Sequence, residues 1–147
     1  MKKLAMAIVM VLICVGVWAA DPDKIKYEWD GLNGGYIIIG YDGIAEGRLE
    51  IPATYRNRPV LLIDNNAFSG HRLTSLVIES GIEAIGMEAF QNNRLTEVIF
   101  PDSAIYIDDS AFRNNQLTEV IIYETTEMIS SSEGQPAFDA NVRIIRR

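Results

Sequence analysis

The sequence predicts a repeat solenoid, a short right-handed coil in which each unit contributes one β-strand and one short helical turn. Three observations predict it. The dipeptide Ala-Phe recurs at Ala67-Phe68, Ala89-Phe90, Ala111-Phe112 and Ala137-Phe138, at spacings of 22, 22 and 26 residues. An aliphatic residue stands four positions before the first three alanines, at Ile63, Ile85 and Ile107. Leu-Thr follows each of those phenylalanines at Leu73-Thr74, Leu95-Thr96 and Leu117-Thr118, and further apolar columns come after it: Leu76, Val98, Val120, then Ile78, Phe100, Ile122. Self-similarity at one fixed period is the mark of a stacked-repeat architecture.

The chain begins with a different signal. Lys2 and Lys3 precede an apolar run from Leu4 to Ile13, and the segment closes on Val17-Trp18-Ala19-Ala20. A basic start, a short apolar stretch and a small-residue end describe a secretory signal peptide over residues 1–19. Cleavage after Ala19 puts Val17 and Ala19 at the positions that must be small, whereas cleavage after Ala20 puts bulky Trp18 in one of them. About twenty apolar residues could also span a membrane, but no positive stop-transfer flank follows, so no stable span is expected after processing. Lipid attachment at Cys14 needs a small residue before the cysteine, and Ile13 is not small. A lipoprotein is the minority reading. The protein is therefore expected to be exported to the periplasm, the cell surface or the medium.

Residues 20–45 are expected to form an N-terminal β-hairpin cap. Ile25, Tyr27 and Trp29 alternate, Asp30-Gly31-Leu32-Asn33-Gly34-Gly35 turns the chain, and Tyr36-Ile37-Ile38-Ile39-Gly40-Tyr41 returns. Alternation around a Gly/Asn-rich turn is the hairpin pattern. Its aromatic rings are placed to close over the open edge of the first coil.

Residues 46–147 form the repeat domain. Ile51-Pro52 matches Phe100-Pro101, so a degenerate coil precedes the first clear one. Within a coil, Val98 and Phe100 face one way and Glu97 and Ile99 the other, as a half-buried strand requires. Strands are expected near 49–51, 76–78, 98–100 and 120–122, in one parallel sheet. Ile85 through Phe90 reads as a helical turn that sends alanine and phenylalanine inward, with Asp64 and Asp108 capping the equivalent turns. Asparagines at 92–93 and 114–115 suit the reversal that follows. One coil cannot cover its own apolar side, so stacking must bury it. The C-terminal end is less regular, with a loop at Ser130–Gly134 and a last partial strand from Val142 to Ile145.

Charge narrows the class of partner. The chain carries 13 basic and 20 acidic side chains, and losing residues 1–19 removes two lysines and no acid, for a formal charge of −9. Such a field does not attract nucleic acid or anionic lipid. Cys14 is the sole cysteine, so the processed chain has no thiol and no disulfide.

The run Ile-Gly-x-x-Ala-Phe, followed by Asn-x-Leu-Thr-x-Val-x-Phe-Pro-Asp-Ser, resembles the BspA-like leucine-rich repeats of surface and exported proteins from host-associated bacteria. The resemblance covers roughly residues 45–147. It implies a leucine-rich-repeat solenoid, exposure at the envelope, and adhesion to host matrix proteins or to other bacteria. Many relatives carry more coils, and no C-terminal sorting segment is recognisable here.

No catalytic constellation emerges, and neither enzyme activity nor a cofactor is expected. His71 fills the slot that Asn93 and Asn115 occupy in the next coils, which makes it a turn residue. Asp64, Asp108 and Asp109 are spread along the coils rather than gathered within a dozen residues, so capping explains them better than calcium. The surface of interest is the outward side of the strands. Ser75, Glu97 and Glu119 form one column, Val77, Ile99 and Ile121 the next, and Glu79, Pro101 and Tyr123 a third. An aliphatic ladder beside an acidic one suits a protein-binding strip. Its plainer reading is that β-branched residues fit strands wherever they point. Two functions remain open: an adhesin-like scaffold engaging a host-matrix or envelope protein through this face, or a structural envelope component that forms a homo-oligomer through it.

Overall fold

The computed structural model describes residues 19–103, 105–129 and 136–147. The expected signal peptide, apart from Ala19, and the expected loop at Ser130–Gly134 lie outside the described residues. The chain opens with a short 3-10 helix, Pro22–Lys24, capped by the Asp21 side chain. Twelve strands follow among the described residues: β1 (Ile25–Asp30), β2 (Gly35–Tyr41), β3 (Glu46–Ile51), β4 (Thr54–Tyr55), β5 (Arg58–Ile63), β6 (Arg72–Ile78), β7 (Ala84–Ile85), β8 (Glu97–Ile99), β9 (Tyr106–Ile107), β10 (Glu119–Ile122), β11 (Glu127–Met128) and β12 (Arg143–Arg146).

They form two sheets that enclose one core. The first runs β3-β6-β8-β10-β12, all parallel, and contains the strands expected from the Leu-Thr phase. Leu76 and Ile78, Val98 and Phe100, and Val120 and Ile122 point inward and are buried. The second runs β1-β2-β5-β7-β9-β11, with β4 beside β5. Its inward column, Ile38, Ile63, Ile85 and Ile107, meets the first sheet's across the core. Phe68, Phe90, Phe112 and Phe138 stack between the sheets at centroid separations of 5.1, 5.3 and 5.2 Å, their rings nearly parallel. That step is close to the ~4.8 Å between paired strands, so the rings are slipped, the geometry aromatic pairs prefer.

The expected helical turn is absent. The aliphatic residue that was read as its start, Ile85, instead ends β7, one of the two-residue strands of the second sheet. Ala67, Ala89 and Ala111 then donate to the carbonyls of Asp64, Gly86 and Asp108, three residues back, closing a β-turn, and Ser69, Gln91 and Arg113 close a second on Asn66, Glu88 and Ser110. The third residue of the first turn, Asn66, Glu88 or Ser110, has positive φ (59, 56 and 57°). Positive φ there is the type II signature, and one left-handed residue stops a helix from propagating. The turns also ladder between coils: Asn66, Phe68 and Gly70 donate to Met87, Ala89 and Gln91. Helix capping is thus corrected as well. Asp64 and Asp108 accept from the next amide, Asn65 N at 2.8 Å and Asp109 N at 2.7 Å. Gly86 is set by close approach, because a Cβ there would lie 2.5 Å from Asn65 Oδ1 and 2.8 Å from its amide nitrogen.

An asparagine ladder fixes the reversals. Asn93 Oδ1 accepts from Leu73 N, one coil back, while its Nδ2 donates to the carbonyls of Phe68 and Phe90. Asn115 repeats the pattern with Leu95 N, Phe90 O and Phe112 O. His71 stands in the same column, and its Nδ1 accepts from Ala45 N at 3.1 Å. With Nδ1 accepting, the imidazole proton sits on Nε2, which donates to neither carbonyl among the described residues, so this rung lacks the bonds that Asn93 and Asn115 give.

The hairpin forms at the N-terminal end, with β1 antiparallel to β2 and β2 parallel to β5. The Asp30 carboxylate accepts from the Leu32 and Asn33 amides and so holds its turn. Tyr27, Tyr36 and Tyr55 pack half-buried against the core. Burial, with Tyr55 and Asp23 nearby, pushes the Tyr27 hydroxyl up to about 12.

Candidate interaction face

The outward side of the first sheet is built by alternation. Leu76, Val98 and Val120 are drawn inward by the core, so Ser75 and Val77, Glu97 and Ile99, and Glu119 and Ile121 must point out. Register then sets the columns. Ser75 pairs with Glu97, Val77 with Ile99, and Ile99 with Ile121. Ile99 is 46% exposed, and Val77 and Ile121 are half-buried. An open groove of about 270 Å³ crosses β8 and β10, with Glu97, Ile99, Glu119, Ile121, Tyr123 and Arg147 in its lining.

The structure extends both columns. In β3, Arg48 aligns with Ser75 and Glu50 with Val77; in β12, Arg143 aligns with Glu119 and Ile145 with Ile121. The aliphatic ladder is therefore Val77, Ile99, Ile121 and Ile145, closed at one end by Glu50. Sequence spacing missed these positions for a plain reason. Ile145 lies 24 residues after Ile121 and Glu50 lies 27 before Val77, and neither 22 nor 26 reaches them. Only strand pairing shows which residue sits beside which.

Charge on the face is graded. Arg143 Nε donates to Glu119 Oε2 at 2.9 Å, and Arg48 Nη2 pairs with Glu50 at 2.7 Å. Glu97 is in no ion pair among the described residues. It stands in one column with Glu119, and like charges on neighbouring strands destabilise a bare sheet. The middle of the face is thus apolar and acidic, its ends neutralised. Ser75 Oγ is buried with no hydrogen-bond partner among the described residues. The third column is broken. Glu79 is exposed but its carboxylate accepts from Ala53 N at 2.7 Å, Tyr123 is half-buried, and Pro101 is buried.

Among the described residues no group of three or more His, Cys, Asp or Glu side chains is placed to hold a metal ion, and no helix is long and apolar enough to cross a membrane. His71 is committed to the backbone of the preceding coil, and burial lowers its basicity.

Residues 57–139 match the family described as BspA type leucine rich repeat region (6 copies). Among solved structures the chain is similar to a leucine-rich repeat protein from Bacteroides capillosus, with 25% identity and a TM-score of 0.64 over 86% of this chain and 97% of that one. It is also similar in fold to the T. pallidum leucine rich repeat protein (19% identity, TM-score 0.65, 85% of this chain and 69% of that one). A leucine-rich repeat protein from Bacteroides ovatus matches at 21% identity and TM-score 0.58, over 85% of this chain and 40% of that one. No curated protein matches the chain.

Proposed function

The chain belongs to the BspA-type leucine-rich-repeat family, and on that footing we propose that it is an exported, adhesin-like scaffold that engages a protein partner through the outer face of its first sheet. In this reading residues 1–19 are the signal peptide, 20–45 the cap and 46–147 the repeat domain. The partner is a host-matrix or envelope protein. The observation that carries the reading is the ladder of Val77, Ile99, Ile121 and Ile145, laid by register across four strands and flanked by Glu97 and Glu119. Scattered apolar residues need no explanation, but aligned ones with an open groove beside them offer a contiguous contact strip. The expected contact residues are Ser75, Val77, Glu79, Glu97, Ile99, Glu119, Ile121 and Tyr123.

Replacing Val77, Ile99 and Ile121 together by threonine tests it. Threonine keeps β-branching and strand propensity while removing methyl surface. Binding to plates coated with extracellular-matrix proteins should be lost, with circular dichroism unchanged. A folded triple variant that binds like the parent overturns the reading. The rival, self-association through the same strip, requires a stable oligomer, and light scattering on the processed chain distinguishes the two.

A further inference from the structure

We propose that the first coil carries a second interaction site, an aromatic–arginine platform that takes an acidic segment of a partner protein. It shares no residue with the sheet face and stands or falls separately.

The platform is built by an insertion. From Ile51, where β3 ends, the chain needs 12 positions to reach Ile63; Ile78 to Ile85 and Phe100 to Ile107 take 7 each. The five extra residues form the β4–β5 hairpin, with Thr54 opposite Pro59 and Tyr55 opposite Arg58. Stacking does not need it, because β5 contacts the next coil through Leu62 and Ile63. Insertions in single repeats project on one side of a solenoid and often carry its binding residues. The turn itself is unfavourable. Arg56 and Asn57 both have positive φ, 49 and 60°, the type I′ pattern that glycine and asparagine favour and arginine does not.

Capping explains only part of what the hairpin assembles. Tyr55 stacks on Tyr27 at 3.9 Å and meets Tyr36 edge-on at 4.9 Å, which closes the end of the core. Trp29, Arg56 and Arg58 lie beyond that closure. Trp29 is 47% exposed, with its ring 5.1 Å from Tyr36. The Arg58 guanidinium sits 5.9 Å from the Trp29 ring and that of Arg56 5.2 Å from the Tyr55 ring. Both arginines are exposed, and neither is in an ion pair among the described residues.

Tryptophan, tyrosine and arginine are the side chains that dominate protein–protein hot spots. A guanidinium lying against a ring still offers its edge N–H groups to a carboxylate. Charge complementarity therefore selects an acidic occupant. Dense polyanions are disfavoured, since the chain carries 20 acidic side chains against 13 basic ones. One or two carboxylates on a peptide meet just the two local arginines, and the peptide's apolar side chains cover Trp29.

The test uses Trp29 as its own reporter. The sequence has two tryptophans, so Trp18→Phe leaves Trp29 as the sole emitter in the full chain. The probes are a peptide of alternating glutamate and leucine, its lysine–leucine counterpart, and heparin. The glutamate–leucine peptide should shift Trp29 emission saturably, less so in high salt, while the lysine–leucine peptide leaves it unchanged. Arg56→Gln with Arg58→Gln should weaken binding at least about tenfold, with circular dichroism retained. Arg56→Asn, which relieves the turn while removing one charge, provides a folded second variant that must also bind less tightly. Failure of the glutamate–leucine peptide to saturate, a shift that survives both variants, or a response to heparin alone would overturn the proposal.

Discussion

Removing the Asn93 side chain should destabilise the protein far more than a surface asparagine would. Asn93 is 7% exposed and bonds four backbone groups from two coils, Leu73 N–H and the carbonyls of Phe68, Phe90 and, at 3.4 Å, Gln91. In Asn93→Ala, Leu73 N–H loses its acceptor and Phe68 C=O its donor, whereas Phe90 C=O keeps the Asn115 amide at 3.0 Å. Two orphaned buried groups at about 1–3 kcal/mol each give a loss of about 3–4 kcal/mol. Against a total stability of roughly 5–15 kcal/mol, that is a large fraction, and the melting point should fall by roughly 10 °C or more. Urea unfolding followed by near-ultraviolet circular dichroism measures the loss, and hydrogen exchange at Leu73 locates it. Asn93→Asp sharpens the argument. Its carboxylate still accepts from Leu73 but faces the Phe68 and Phe90 carbonyls, so its folded pKa should rise above the usual ~3.9. A raised carboxyl pKa means that stability present at low pH is lost as pH rises, so this variant should be more stable near pH 4 than near pH 7 relative to the parent. An Asn93→Ala loss below about 1 kcal/mol, or an aspartate variant with no such pH trend, would refute the ladder as the link between coils.

Phe90→Ala removes the ring between Phe68 and Phe112 and should cost about 3–5 kcal/mol, unfolding much of the population at 37 °C; an unchanged melting curve would deny the phenylalanine column its place in the core. Gly86→Ala forces a methyl against Asn65 and should cost about 1–3 kcal/mol in the same melting assay, more than Gly31→Ala, whose Cβ meets only the Trp29 side chain at 3.5 Å or beyond. Burial lowers the His71 pKa below its ordinary 6.5, so the unfolded chain binds the proton first and stability should fall as pH drops below 6.5. His71→Asn should flatten that dependence between about pH 5 and 7, as read by urea midpoints, and also supply the carbonyl bonds that this rung of the ladder lacks.

How far the sequence alone reaches depends on how many residues carry each signal. The repeat phase, the strands of the first sheet, the buried phenylalanines and the hairpin were all legible, because each rests on alternation or on columns repeated across coils. So were Glu97, Ile99, Glu119 and Ile121 as outward neighbours, since constant spacing transfers register from coil to coil. The second sheet was not legible. Its strands after β5 are two residues long, too short to alternate, and an aliphatic residue before a turn looks the same whether it opens a helix or ends a strand. Nor do Glu88 and Ser110 announce a left-handed backbone; the inter-coil hydrogen bonds on either side impose it. Tertiary structure also decided where the periodicity lapses. Arg48, Glu50 and Ile145 join the face because hydrogen-bonded register rather than residue count determines which side chains are neighbours.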